Sequence, residues 1–445
     1  MKPEIHTRTM GKVSRRLIPF MIVMFLINFL DRVNIGFAAL EMNKDLGLSP
    51  STYGFAAGIL FVGYVAFEVP SNMILQRVGA RVWLARIMIT WGILATLMAF
   101  VFNEASLFTL RALIGVAEAG FFPGLVFYMM RWFPAEERAK AITVFMLGNP
   151  ISVIIGGPLS TAILHFSHHF GGFAGWQWLF IIEGIPAIII GAVTLVWLTE
   201  RPEDAKWLEL DEREWLVTKI SEEARAKESR GHSPVRVRDI FFHGKTLAFA
   251  FSKFCVLLAF FGITLWLPQI IKSIGTLNIF EVGVASAIPY VFSAIASVLI
   301  GRHSDKTGER KWHIALPAFL GAAGFVVASL TANPWGAMAA LCMAATGLWV
   351  SNTVFWTLPS AMLSGTTAAA GIAFINAFGN LGGFVGPYLT GWIREATHSY
   401  VWALAMLGGF LALSGIIVLI VGRAEASGSG RSERGVKQQP AFRKS

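Results

Sequence analysis

Arg111 and Glu118 stand seven residues apart in an otherwise apolar stretch. On a helix that is two turns, which places both side chains on one face about 10 Å apart along the axis. So arranged, the guanidinium can hold an anion while the carboxyl takes up and releases a proton. The competing reading is that each group fastens its helix to a buried charge elsewhere. Asp31 and Arg32 form a second constellation. Adjacent helical residues point about 100° apart, so each must find a partner on another helix. The planar fork of Arg32 suits a second carboxylate contact. Asp31 reads as a second proton site or an orienting group, against the alternative of a local pair at a kink.

An ionised side chain inside a bilayer costs several kcal/mol unless it finds water or a partner, which makes each one a functional candidate. Four acids (Asp31, Glu68, Glu118, Glu183) stand against three bases (Arg32, Arg111, Lys253) in the apolar segments, leaving one acid unmatched. An unmatched acid holds its proton more readily, the property a coupling group needs. Glu68, just before Pro70, and Lys253 lie at matching depths in the two halves of the chain and are expected to pair across them, as gating or structural charges. For Glu183, beside Gly184 and Pro186, a hydrogen bond to freed backbone is expected. Asn376 and Asn380, one turn apart, share a face and must hydrogen-bond to a ligand or to another helix. Trp266, Trp349 and Trp356 either line a cavity or act as filler and interfacial anchors.

The elements that must position these groups follow from composition. Of 445 residues, 55% are hydrophobic and 14% charged, and the mean hydropathy is +0.61. Apolar runs of twenty or more residues recur, each long enough to span a bilayer as a helix. The spans fall near 17–40, 53–75, 83–102, 107–129, 140–164 and 177–198, then 246–271, 281–300, 313–331, 335–358, 369–392 and 400–421. The first carries Asn28, Asp31, Arg32 and Asn34 without a small-residue cleavage site, so it is expected to stay as helix 1. The reading is an all-α membrane protein with twelve transmembrane helices in two six-helix halves. Its parts are a cytoplasmic N-terminus (1–16), an N-terminal half (17–199), a central cytoplasmic loop (200–245), a C-terminal half (246–422) and a disordered cytoplasmic tail (423–445). An amphipathic helix is expected in the loop near Leu210 to Ala226.

Charge supports that topology. Of the 37 Lys and Arg residues, only Lys44, Lys272 and Arg394 fall on the outer side, with Arg32, Arg111 and Lys253 deep inside spans. Such asymmetry puts both termini in the cytoplasm, and the net charge of +10 needs no nucleic acid to explain it. The halves also repeat. Arg77, Gly79, Arg81 and Trp83 recur as Lys306, Gly308, Arg310 and Trp312 at one constant displacement, which also carries Gly157-Pro158 onto Gly386-Pro387. Parallel six-helix repeats place a binding site between the halves near the midplane.

The segment GRHSDKTGERK (Gly301–Lys311), containing Asp305 and Arg310, resembles the basic loop between helices of major facilitator transporters. The first copy, QRVGAR, has Gln76 where an acid is usual, which weakens the charge network there. More specifically, FLDRVNIGFAAL from Phe29, FEVPSN from Phe67, LRALIGVAEAGFFPG from Leu110, GWQWLFIIEGIP from Gly175, WLPQIIK from Trp266 and INAFGNLGGFVGP from Ile375 together resemble the anion:cation symporter family. The resemblance implies uptake of an organic carboxylate with protons across the inner membrane. It also implies substrate and proton roles for Arg111 and Glu118, and polar binding roles for Tyr64 and Asn149 as in sugar-acid carriers.

Other classes fit less well. No Walker-type, HExxH or GxSxG pattern appears, so neither an enzyme nor ATP-driven transport is expected. A channel would want one continuous polar stripe, whereas the charges here cluster on helices 1 and 4. An exchanger working without protons is the alternative within transporters. Cys255 and Cys342 lie in apolar segments and cannot build a disulfide framework or metal site. No cofactor is expected. The partners are a small organic anion, protons and the bilayer, with the chain acting as a monomer.

Overall fold

The computed structural model describes residues 3–146, 148–167, 170–228, 244–362 and 366–436, and the regular structure among them is helical. The N-terminal half comprises α1 (Pro3–Asp45), α2 (Pro50–Val78), α3 (Ala80–Leu97), α4 (Glu104–Glu118), α5 (Phe121–Trp132), α6 (Ala135–Met146), α7 (Gly148–Phe166) and α8 (Gly175–Trp197). After the connecting helix α9 (Leu210–Glu228) come α10 (Gly244–Ile274), α11 (Ile279–Thr307), α12 (Lys311–Leu330) and α13 (Pro334–Phe355). The chain ends with α14 (Thr357–Met362), α15 (Thr366–Asn380), α16 (Gly382–Thr397) and α17 (Val401–Val436). Among the described residues, eleven helical runs are long and apolar enough to cross a membrane. The twelfth span is α15 and α16 together, interrupted at Leu381 before the poor helix formers Gly382 and Gly383.

Several expected continuous spans are broken. The fourth stops at Glu118 and resumes at Phe121. Pro123 has no N–H to give the Ala119 carbonyl and its ring crowds that oxygen, while Gly120 takes a left-handed conformation (φ 85°). Ser71 Oγ donates to the freed Ala119 oxygen at 2.6 Å and accepts from Trp83 Nε1 at 3.0 Å. In the same way, α13 ends at Phe355, the carbonyl that Pro359 leaves without a donor.

The ends of the chain depart from expectation. Helix α1 begins in the polar leader, because α9 supplies it with acids: Arg8 Nη2 donates to Asp211 at 2.5 Å, and Lys12 Nζ reaches Glu209 at 3.0 Å and Glu212 at 2.9 Å. Burial works against charge on Glu212, but Lys12 and the Glu209 amide hold its carboxyl below the usual carboxylate range. At the other end, α17 carries helical backbone beyond Arg423 to Val436, where the sequence suggests disorder from 423. Extending an existing helix adds a hydrogen bond per residue without a new nucleation cost. Residues 437–445 lie outside the described residues.

The two halves are sealed together at the membrane face opposite α9. Helix axes approach there because glycines line the contact. A Cβ on Gly54 or Gly58 of α2 would strike Pro387 O or Phe384 of the opposite half, one on Gly391 would strike Pro50 O, and one on Gly36 would lie 2.9 Å from Leu265 O. Tyr53 Oη donates to Leu265 O at 2.7 Å, Asn43 Nδ2 to Gln269 Oε1 at 3.3 Å, and the amide of Ser51 to Glu395 at 2.9 Å. On the α9 side, among the described residues, Asn376 Nδ2 donates across the halves to Glu68 Oε1 at 3.2 Å. The structure is therefore a conformation closed on the face opposite α9.

Gly54→Leu is expected to wedge this seal. Overpacking of a tight contact costs about 1–3 kcal/mol, enough to shift a two-state equilibrium about fivefold or more. Labelling of a cysteine introduced at Asn43 by a membrane-impermeant maleimide should accelerate accordingly. An unchanged rate would mean that the seal is not the contact that holds this conformation.

Candidate functional site

The charged residues predicted inside the spans of the N-terminal half find partners different from those expected, and Lys253 lies in the other half. Arg32 Nη2 forms an ion pair and hydrogen bond with Glu118 Oε1. That oxygen also accepts from Asn28 Nδ2 at 2.8 Å. Asn28 and Arg32 are one turn apart on α1, so a single helical face presents both donors to Glu118. Glu118 can come this close because α4 ends there, at the last residue before the Gly120 break. The side chain of Glu118 is 3% exposed and that of Arg32 15%, so the pair opens only through its guanidinium. Arg32 lies over the rings of Tyr64 (5.3 Å) and Phe61 (5.7 Å). Its Nε is buried with no hydrogen-bond partner among the described residues.

Arg111 does not face Glu118. It is buried, and its Nε and Nη2 donate to the carbonyls of Ala56 and Ala57 on α2, both at 3.3 Å. In this conformation it therefore fastens α4 to α2 on the sealed side. Asp31 turns away from the pair, as adjacency to Arg32 requires. Its Oδ2 accepts from Trp91 Nε1 at 2.6 Å and its Oδ1 from Asn34 Nδ2 at 3.5 Å. Tyr64 is buried under Arg32. Asn149, in the first turn of α7, is part-buried with its Oδ1 unpartnered among the described residues.

The expected pairing of Glu68 with Lys253 is not formed. Glu68 accepts from Asn376, the helix-contact outcome for that amide, and Lys253 Nζ donates to Asn352 Oδ1 at 2.7 Å. Helix α15 lies between them: Gly379, one turn from Asn376, packs on the Lys253 side chain. Asn380 ends α15 at the break. Glu183 accepts from the Ser160 hydroxyl at 2.7 Å in place of freed backbone. Trp266 belongs to the seal, with its Nε1 on Pro387 O at 3.0 Å, while Trp349 packs on Phe260 and Tyr290.

In the loop between α11 and α12, Arg310 Nη1 pairs with Asp305 at 2.6 Å and reaches Ser304 Oγ at 3.1 Å. Where Gln76 leaves the first copy without an acid, Glu200 takes over. It accepts from the amides of Ala80 (2.9 Å) and Arg81 (2.8 Å) and from Arg131 at 2.5 Å. Sequence reasoning passed over Glu200. Its position directly after the sixth span, before Arg201-Pro202, was the available signal.

The geometry is that of an ion pair inside the N-terminal six-helix half, which is sealed to the other half at the face opposite α9. Comparison with known proteins agrees. The chain matches the Major Facilitator Superfamily over residues 21–383. It is 46% identical to a protein of Agrobacterium vitis named for tartrate transport, over 97% of this chain and 98% of that one. It is 40% identical to the inner membrane transport protein RhmT of Escherichia coli, over 84% and 86%. Among solved structures it is similar to a bacterial homolog of the human lysosomal transporter Spinster in an inward-facing, occupied conformation. The TM-score there is 0.74, with 16% identity and coverage of 92% of this chain and 96% of that one. A D-xylose–proton symporter aligns with a TM-score of 0.71 at 16% identity over 91% and 96%. The class defined by fold and site is thus a multi-pass membrane transporter, not an enzyme. Within that class the chain belongs to the Major Facilitator Superfamily and its anion:cation symporter-like family.

Proposed function

We propose that this transporter imports a small organic carboxylate by proton symport across the bacterial inner membrane, with both termini cytoplasmic. The Arg32–Glu118 pair carries the reading. A cation in a dry site strongly prefers an anionic partner, and the carboxylate of Glu118 holds that place in this conformation. A proton on Glu118 removes its charge and releases Arg32 for the substrate carboxylate. Proton and substrate then occupy the site together, and the halves rock around a load with a neutral balance. The unpartnered Nε of Arg32 offers the second prong of a bidentate contact. Tyr64 supports the guanidinium from below, and Asn149 supplies a free acceptor for a substrate hydroxyl.

The name of the Agrobacterium vitis relative makes tartrate, a hydroxy acid, the first substrate to test. Purified protein in liposomes with an alkaline interior should accumulate labelled tartrate against its gradient, and a protonophore should abolish the accumulation. Counterflow without pH-driven accumulation would instead favour an anion exchanger.

A further inference from the structure

Arg86 lies within the third span read from the sequence (83–102). It follows the start of α3 at Ala80 by six residues, about 9 Å along the helix axis. The bundle leaves its face of the helix uncovered. Leu84, Ile87, Met88, Trp91 and Ala95 turn inward from α3 and are buried, whereas Val82, Ile93 and Leu97, at helical spacing with Arg86, are exposed apolar side chains. That stripe is the lipid-facing side of α3. Among the described residues no carboxylate pairs with Arg86, and its buried Nε has no hydrogen-bond partner. The guanidinium lies over the ring of Trp83 at 3.7 Å. Trp83 is itself fixed, with its Nε1 on Ser71 Oγ at 3.0 Å. Stacking on a ring occupies one face of a guanidinium and leaves the in-plane N–H groups for an anion.

An unpaired cation on a lipid-facing stripe has to draw its counter-charge from outside the chain, because hydrocarbon offers none. We propose that Arg86 and Trp83 form a binding site for the headgroup phosphate of an anionic phospholipid in the leaflet on the α9 side. In the orientation proposed above this is the cytoplasmic leaflet, and the site itself is independent of what is transported. The long stem of Arg86 lets its fork reach the headgroup layer from a position early in α3. A phosphate accepts a planar guanidinium through two oxygens at once. The acyl chains then run along Ile93 and Leu97. A zwitterionic headgroup fits less well, since its phosphate already has an ammonium of its own nearby. Because Ser71 pins the ring on which Arg86 stacks, the site is formed before the lipid arrives.

The test adds lipid back to purified full-length protein and counts bound molecules by native mass spectrometry, with phosphatidylglycerol and phosphatidylcholine of matched acyl chains as probes. Arg86→Gln should lose about fivefold in affinity for phosphatidylglycerol and stay within about twofold for phosphatidylcholine, the effect expected of one basic residue meeting an anionic headgroup. Arg86→Lys should still lose at least about twofold for phosphatidylglycerol, because an ammonium keeps the charge without the fork or the stack. Arg15→Gln, which removes an exposed cation of the leader, should leave both affinities unchanged. An undiminished phosphatidylglycerol affinity in Arg86→Gln, an equal loss for both lipids, or an equal loss in Arg15→Gln would overturn the proposal. Should Arg86→Gln fail to fold, Arg86→Lys decides, since full phosphatidylglycerol affinity there also overturns it. Excess inorganic phosphate should leave the bound lipid in place; displacement would assign the site to a soluble anion and remove the lipid from it.

Discussion

Arg32→Ala is expected to lower affinity for the carboxylate substrate by at least about a hundredfold and to reduce uptake to background. The substrate loses a charge-assisted fork, and Glu118 is left buried with only Asn28 as a donor. Truncating one member of a buried, hydrogen-bonded charge pair costs about 2–5 kcal/mol, and about 2.7 kcal/mol already corresponds to a hundredfold in binding. Arg32→Lys should recover little, because an ammonium keeps charge but cannot span two oxygens in one plane. Equilibrium binding of labelled tartrate on protein of verified melting temperature measures both. Arg111→Ala should impair uptake for a different reason, since Arg111 holds the Ala56 and Ala57 carbonyls: the variant should lose thermal stability along with transport. Near-normal binding by Arg32→Ala would move the anion site away from α1.

Glu118→Gln keeps the shape and the acceptor for Asn28 but cannot titrate. If Glu118 is the group whose proton releases Arg32, the variant mimics the protonated state permanently. It should bind substrate at least as well as the unsubstituted protein and support counterflow, yet lose gradient-driven accumulation by at least about tenfold. Its substrate affinity should also become insensitive to pH where that of the unsubstituted protein weakens as pH rises. The sign follows from competition, because deprotonation returns a carboxylate to Arg32 and expels the substrate. Accumulation at the normal level in Glu118→Gln would assign coupling to another acid, with Asp31 next in line. Loss of binding and counterflow together would show that Glu118 chiefly orients Arg32.

The spans, the repeat and the connecting helix were legible in the sequence because each is a local property. A run of twenty apolar residues has no other stable solvent than lipid, and Leu210–Glu228 advertises itself by the mixed charges around it. That Asp31, Arg32, Glu68, Arg111, Glu118 and Lys253 must find partners among the helices was legible for the same reason: an ionisable group in an apolar run has to be explained. The breaks were half legible. Pro123 and Gly120 stand in plain view, yet prolines inside α1, α2 and α8 are accommodated without interruption. At the α4 break the freed Ala119 carbonyl finds a donor in Ser71.

By itself, then, the chain determined which groups must be buried and on which helical face each lies, since hydropathy and the 3.6-residue period are written along one strand of residues. Only the tertiary structure decided who meets whom. Arg111 and Glu118 share a helix, but Glu118 turns to Arg32 and Asn28 on α1 while Arg111 turns to the carbonyls of α2. Glu68 and Lys253 stand at matching depths, but α15 lies between them. The physical reason is that a buried charge is stabilised by whatever partner lies within about 3 Å. That distance is set by how helices of distant sequence pack and by which face of the membrane the two halves have closed, neither of which is encoded at any single position.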